Sequence, residues 1–332
     1  RCNRLTPVRK LPSLLAVLGV STLVLAGCAG STSVPFGDGC DSLAGTDPAV
    51  TKLITVSGEL GTEPDVSVFS PLMTDKTVHA VVEAGTGRQI VDENQLTQLD
   101  MVLYSGATGE RLVATAFGDD SAAAPMPLTS WAESFDGLRK GLMCATEGSR
   151  ISIAMTTDDV SGGAGIDGLG IAPGEAVIAV VDVRTVLRAK ADGAPQFVAG
   201  HGLPDVVLAE DGQPGVIIPN AEAPTELVTE TLKLGDGAVV KAGDTVFVQY
   251  TGLTWDEKKV FDSSWGGPAT ALSLDKVVPG FAQALEGQTV GSQVLAVIPP
   301  ELGYGDQVNG KIPANATLVF VIDILGIGTP QP

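Results

Sequence analysis

Basic residues are scarce in this chain of 332 residues, where 20 Lys and Arg stand against 39 Asp and Glu. Arg1, Arg4, Arg9 and Lys10 crowd into the first ten positions, and no acid precedes Asp38. Phosphate binding depends on clustered cations, so nucleic-acid binding is excluded as a main function. Histidine is scarcer still. His79 and His201 have no Cys or carboxylate at metal-ligand spacing beside them. No Walker or Rossmann glycine fingerprint occurs, and no G-x-S-x-G elbow. Hydrolytic, redox and phosphoryl-transfer chemistry therefore lack residues to carry them, and neither cofactor nor metal is expected. What is present is a globular composition, 44% apolar and 18% charged. The length suits two compact units rather than one.

The one long apolar run, from Leu14 to Gly27, is too short and too rich in small residues for a comfortable bilayer span. With the basic segment before it, it reads as a secretion signal. It ends in Leu25-Ala26-Gly27-Cys28, which resembles the lipobox of bacterial lipoproteins. The resemblance implies that residues 1–27 are removed and that Cys28 carries lipid. The exported protein would then be anchored to the outer face of the cell membrane without a transmembrane helix. An ordinary signal peptide with a chance cysteine is the alternative. Residues 28–48 are rich in Gly, Ser, Thr and Pro and read as a flexible tether. Of four cysteines, Cys2 leaves with the leader and Cys28 is acylated. Cys40 and Cys144 remain and are expected to pair in an oxidising compartment; two buried free thiols are the alternative.

Two similar halves follow, 49–190 and 199–328, joined by a Gly/Pro-rich stretch between Lys190 and Leu203. Glu63-Pro-Asp-Val66 matches Leu203-Pro-Asp-Val206, and Lys76–Gly87 matches Thr225–Gly237. Phe135–Leu142 and Gly148–Ile153 match Val278–Leu285 and Gly291–Ala296 at one gapless offset. Val177–Val183 matches Leu318–Ile324. Each half is mainly strand. Thr245-Val-Phe-Val-Gln-Tyr250 alternates, with Val246, Val248 and Tyr250 on one face. The convincing helix of the second half is short, Gly280 to Leu285, entered through Pro279 and closed near Gly287. An α+β layer architecture is expected.

Seven pieces in order then carry a family resemblance. They are Val248-Gln-Tyr-Thr-Gly252, Val260-Phe-Asp-Ser-Ser264, Val277-Val-Pro-Gly-Phe281, Gly287-Gln-Thr-Val-Gly291, Ile298-Pro-Pro-Glu-Leu-Gly-Tyr-Gly305, Ile312-Pro313 and Ala316-Thr-Leu-Val-Phe320. Over residues 236 to 327 this resembles the FKBP-type peptidyl-prolyl cis-trans isomerases. The resemblance implies two FKBP-like domains in tandem, each an antiparallel sheet wrapped over one short helix. It makes Tyr250, Asp262 and Tyr304 the catalytic residues. Phe261, Val277, Val278, Phe281, Ile312 and Phe320 become the substrate-binding wall. Taken singly, each apolar member reads more readily as core, and the tyrosines read also as packed tyrosines and Asp262 as a turn or cap residue. The joint pattern decides. Phe281 stands where the family usually has tryptophan, and Pro268-Ala269 where a further aromatic usually follows the proline, which opens one wall.

The resemblance also implies the mechanism. An apolar, dry pocket favours the twisted amide over the planar one. Phe281 and Phe320 cradle the proline ring. The backbone N–H near Ile312 and the Tyr304 hydroxyl hold the flanking carbonyls, and Asp262 orients Tyr250 or polarises the carbonyl. The implied partners are proline-containing segments of exported proteins and the macrolide inhibitors of the family. The first half keeps the frame without the pocket. Tyr104 matches Tyr250, but Ala114-Thr115 falls at Phe261-Asp262, Leu138 at Phe281 and Ala179 at Phe320. Three functions remain open from sequence: an extracytoplasmic proline isomerase, a non-catalytic peptide holder or chaperone using the same pocket, and a structural envelope lipoprotein.

Overall fold

A computed structural model describes residues 40–118, 124–197 and 202–328. The leader, the lipobox and Cys28 lie outside the described residues. The first half opens with a one-turn helix, α1 (Pro48–Thr51), and a hairpin of β1 (Ile54–Ser57) and β2 (Asp65–Val68). Then come β3 (Val78–Glu83), β4 (Leu96–Ser105), β5 (Arg111–Ala114), β6 (Met126–Pro127), α2 (Ala132–Leu142), β7 (Arg150–Met155) and β8 (Val177–Val186). After β9 (Ala194–Pro195), the second half repeats the series. Its hairpin is β10 (Asp205–Leu208) with β11 (Pro214–Ile217). Following it are β12 (Val228–Leu234), β13 (Thr245–Thr254), β14 (Val260–Ser263), β15 (Thr270–Ser273), α3 (Pro279–Leu285), β16 (Gln293–Ile298) and β17 (Leu318–Gly328).

The two main sheets have the same strand order. The first runs β3-β7-β8-β4-β5 and the second β12-β16-β17-β13-β14, both antiparallel, and β9 extends the second beyond β12. Each sheet lies between a helix and its hairpin. Successive side chains of a strand point to opposite faces. Accordingly Val294, Ala296 and Ile298 of β16 join the cluster under α3, while Leu295 and Val297 pack with Val206 and Val216 of the hairpin. Because both faces are covered, these strands read as continuous apolar runs rather than clean alternation. The α+β architecture expected from sequence is the one observed.

Helix α3 begins where expected, with Pro279 at its first position, where a missing N–H costs nothing. It can lie close on β16 because a Cβ on Gly280 would meet Ile298 Cγ2 at 2.4 Å. Gly137 has the same role on α2, against Met155. The Cys40–Cys144 disulfide forms, with Cα atoms 5.7 Å apart, and ties the segment before α1 to the end of α2.

Ladder register corrects three of the sequence matches. Met101 faces Val181 as Tyr250 faces Ile322, so Met101 and not Tyr104 is the counterpart of Tyr250. Tyr104 points to the hairpin side, in a cluster with Ile54 and Val102. Likewise Leu103 faces Val113 as Gly252 faces Asp262, which puts Leu112-Val113 at Phe261-Asp262 and leaves Ala114-Thr115 at Ser263-Ser264. Thr115 Oγ1 accepts the Met101 N–H at 2.9 Å, as Ser264 Oγ accepts that of Tyr250 at 2.9 Å. The Pro-Asp-Val match also fails, because Asp65 opens the second strand of its hairpin and Asp205 the first strand of the other. A three-letter identity does not constrain register; a ladder does.

Candidate active site

Four rings converge on the face of the second sheet that α3 covers. Phe320, on the central strand β17, stands in the middle. Its centroid lies 5.2 Å from Phe281 and 5.5 Å from Phe261, both nearly edge-on at 88° and 83°. Tyr250 completes the group, 6.2 Å from Phe320 and 6.5 Å from Phe281. Edge-to-face contacts of this kind are the preferred aromatic geometry. The approach of Phe261 to Phe320 requires glycine between them, since a Cβ on Gly252 would lie 2.6 Å from one ring and 2.8 Å from the other. Gly252 thus shapes the site, a role that its place in a sequence motif does not disclose.

Two further segments add to the wall. Val277 and Val278 lead into α3, and Val278 is its N-cap, in extended conformation. Tyr304 and Ile312 stand on the loop between β16 and β17, where Asn309 and Ile312 form a small bridge. All of these pack against the ring cluster; Phe281, Ile312 and Phe320 are buried, while Phe261, Val277, Val278 and Tyr304 are half-buried. The structure therefore brings together all nine residues that the sequence singled out in the second half. Ala269, by contrast, packs with Leu96, Leu187 and Phe247 where the two halves meet.

The polar atoms of the site are few. The Tyr250 hydroxyl donates to Asp262 Oδ2, and Asp262 Oδ1 accepts the Ser263 N–H at 2.9 Å. Burial, then this bond to a carboxylate, holds the Tyr250 hydroxyl well above the ordinary tyrosine range, with Tyr304 adding to the shift. The Ile312 N–H is already committed to Asn309 O at 2.8 Å. Among the donors without a partner among the described residues are the Val278 N–H and the Tyr304 hydroxyl. Helix starts leave N–H groups unpaired, which is why Val278 is a free donor. The N–H of Ile312 itself is thus engaged, while that of Val278 is open.

The corresponding place in the first half is filled with aliphatic side chains. Met101, Leu112, Val113, Leu138 and Ala179 stand at Tyr250, Phe261, Asp262, Phe281 and Phe320, so neither a ring cage nor a carboxylate remains. Phe135 takes the position of Val278 and is buried in the same cluster. It bridges Val160, and the Gly137 N–H donates to Asp159 O at 3.3 Å, which stitches α2 to the loop after β7. Lys140 Nζ reaches Asp159 at 2.6 Å and Asp136 at 2.8 Å.

An apolar cage of rings with spare donors, and with no metal-ligand set among the described residues, suits a neutral cyclic group better than a charged one. Comparison with known proteins gives the family. Residues 237–325 match the model of the FKBP-type peptidyl-prolyl cis-trans isomerases. The FK506-binding protein of Streptomyces anulatus is 37% identical over 120 residues, which are 35% of this chain and 97% of that protein. FkpA of Escherichia coli, an FKBP-type peptidyl-prolyl cis-trans isomerase, is 38% identical over 108 residues, 32% of this chain and 40% of that protein. The crystal structure of FkpA aligns at 34% identity with a TM-score of 0.31, covering 40% of this chain and 55% of that one. The chain belongs to the FKBP-type peptidyl-prolyl cis-trans isomerase family, and its activity is isomerisation of peptidyl-prolyl bonds.

Proposed function

We propose that the ring cage of the second half isomerises X–Pro bonds of exported proteins at the cell envelope, with the first half as a non-catalytic repeat. The observation that carries this reading is the convergence of Phe261, Phe281, Phe320 and Tyr250 beside two unpaired donors. The barrier to rotation is amide resonance, about 18–20 kcal/mol for a peptide bond. A twisted amide loses that resonance and is less polar than the planar one. A dry apolar cage therefore binds the twisted form better, and this difference is the catalysis.

In this mechanism Phe281 and Phe320 flank the pyrrolidine ring, with Val277, Ile312 and Phe261 as the outer wall. The Val278 N–H and the Tyr304 hydroxyl, which stand beside the rings with no partner among the described residues, hold the two flanking carbonyls. Tyr250 serves as a positioned spacer. Its hydroxyl is spent on Asp262, which fixes the ring edge against Phe281 and keeps the carboxylate oriented. No proton is transferred. Envelope location rests on the lipobox resemblance at Cys28. Macrolides of the family are expected to compete for the same cage.

A proline-peptide exchange assay on the protein lacking residues 1–28 tests the proposal. Uncatalysed exchange takes tens to hundreds of seconds, so acceleration is easily seen. Binding of proline peptides without acceleration would favour the holder instead. For the anchor, Cys28→Ala is expected to release the protein from the membrane fraction, and unchanged membrane association would refute lipidation there.

A further inference from the structure

The two sheets carry a polar pair at the same buried place, with different chemistry. In the first, Arg150 on β7 and Asp182 on β8 face each other, both side chains 1% exposed, at 2.5 Å. The pair grips the turn of that half's own hairpin. The Arg150 guanidinium donates to the carbonyls of Gly58, Glu59 and Thr62, and the Gly61 N–H donates to Asp182 Oδ2 at 2.8 Å. In the second sheet the same two ladder positions hold Gln293 and Asp323, and Gln293 Nε2 donates to Asp323 Oδ1 at 2.7 Å. Here Asp323 Oδ2 takes the N–H of Ala191, at 2.7 Å. Ala191 does for this half what Gly61 does for the other, yet it belongs to the join between the halves.

The join is held on both sides of that bond. Lys233 Nζ donates to Ala191 O at 2.9 Å, the Gly193 N–H donates to Gly291 O at 3.0 Å, and β9 pairs with Lys233 and Leu234. Arg188 bonds Asp192 within the join and Asp236 in the second half. Burial pushes the Asp323 carboxyl up, although the Ala191 N–H, the Gln293 amide, Lys233 and Lys190 pull the other way. A buried carboxylate with no cation in direct contact costs stability unless its oxygens are used.

We propose that Asp323 is a latch that seats the join in the second sheet, so that the non-catalytic first half is a fixed mount for the isomerase half rather than a flexibly tethered neighbour. Trypsin cleavage of the full chain after Arg188 tests this. Ala191→Pro, which deletes the N–H, and Asp323→Leu, which deletes the acceptor, are expected to raise the cleavage rate at least tenfold. Asp323→Asn keeps an acceptor oxygen, and the Gln293 amide can turn to meet it, so cleavage at the parent rate is expected. If Asp323→Leu unfolds the sheet, Ala191→Pro decides, because it leaves the sheet core untouched. Parent-rate cleavage in Ala191→Pro, or equal acceleration in Asp323→Asn and Asp323→Leu, would overturn the latch. The cleavage readout does not depend on the isomerase reading.

Discussion

Helix, hairpin, strand order and even the bulge beside Phe261 recur in both halves, down to a hydroxyl that accepts the N–H of Met101 in one and Tyr250 in the other. At the site the halves part company where the second has rings and a carboxylate. Frame and chemistry are therefore separable in this molecule. The apolar positions under the helix hold the fold with aliphatic or aromatic side chains alike, whereas the second half sets four rings there at centroid distances of 5.2 to 6.5 Å. The first half also closes the gap, since Phe135 is buried where Val278 stands half-exposed.

The comparison can be attacked first at the disulfide, which only the first half has. Cys144→Ser opens a covalent loop with a sequence separation of 104 residues. In the chain-entropy picture this is expected to lower the stability of the first half by about 3–5 kcal/mol. Denaturant unfolding would show it as an earlier transition, while isomerase activity in native buffer stays unchanged. Next in size is conversion of the second pocket into the first. Phe281→Leu with Phe320→Ala together are expected to reduce the isomerisation rate by about a hundredfold or more, which is about 2.7 kcal/mol of transition-state binding. A doubly substituted protein that unfolds like the parent yet keeps its rate would show that the rings are core and not catalyst.

Smaller effects refine the picture. Tyr250→Phe removes the bond to Asp262 but keeps the ring edge, and a rate loss of about tenfold or less is expected. Because the Tyr250 hydroxyl titrates far above the ordinary range and no proton is transferred, the rate of the parent is expected to stay flat from about pH 6 to about 8, and a fall near neutral pH would contradict the proton-free mechanism. Smallest is Asp323→Asn. The folded carboxyl titrates above its unfolded value, so its contribution to stability is present at low pH and is lost as pH rises through the folded value. The substitution is therefore expected to raise stability slightly at neutral pH and to flatten its acid dependence, as read by unfolding midpoints across pH.

Much of this was legible in the sequence, for identifiable reasons. The duplication showed where long gapless matches exist, as between Phe135–Leu142 and Val278–Leu285, because helix packing on a sheet fixes both spacing and residue size. Short matches misled: Tyr104 aligned with Tyr250 by residue type, but the ladder sets them three positions apart, on opposite faces. β9 escaped notice because two residues, one a proline, carry no periodic signal.

By itself, then, the amino-acid order determined that each half is mainly strand, where the short helix entered through Pro279 begins and ends, and the set of nine side chains around the cage. The first two follow from local periodicity and residue type; the nine side chains follow from the resemblance of seven ordered motifs to the family. Tertiary structure decided which atoms remained available: that the Ile312 N–H is spent within its own loop while the Val278 N–H is not, that Gly252 makes room for two rings, and that Asp323 holds the join. The Asp323 bond spans 132 positions, and even the Ile312 bond, made to Asn309, depends on how its loop closes. Hydrogen-bond availability is a property of what lies opposite, and no local pattern records it.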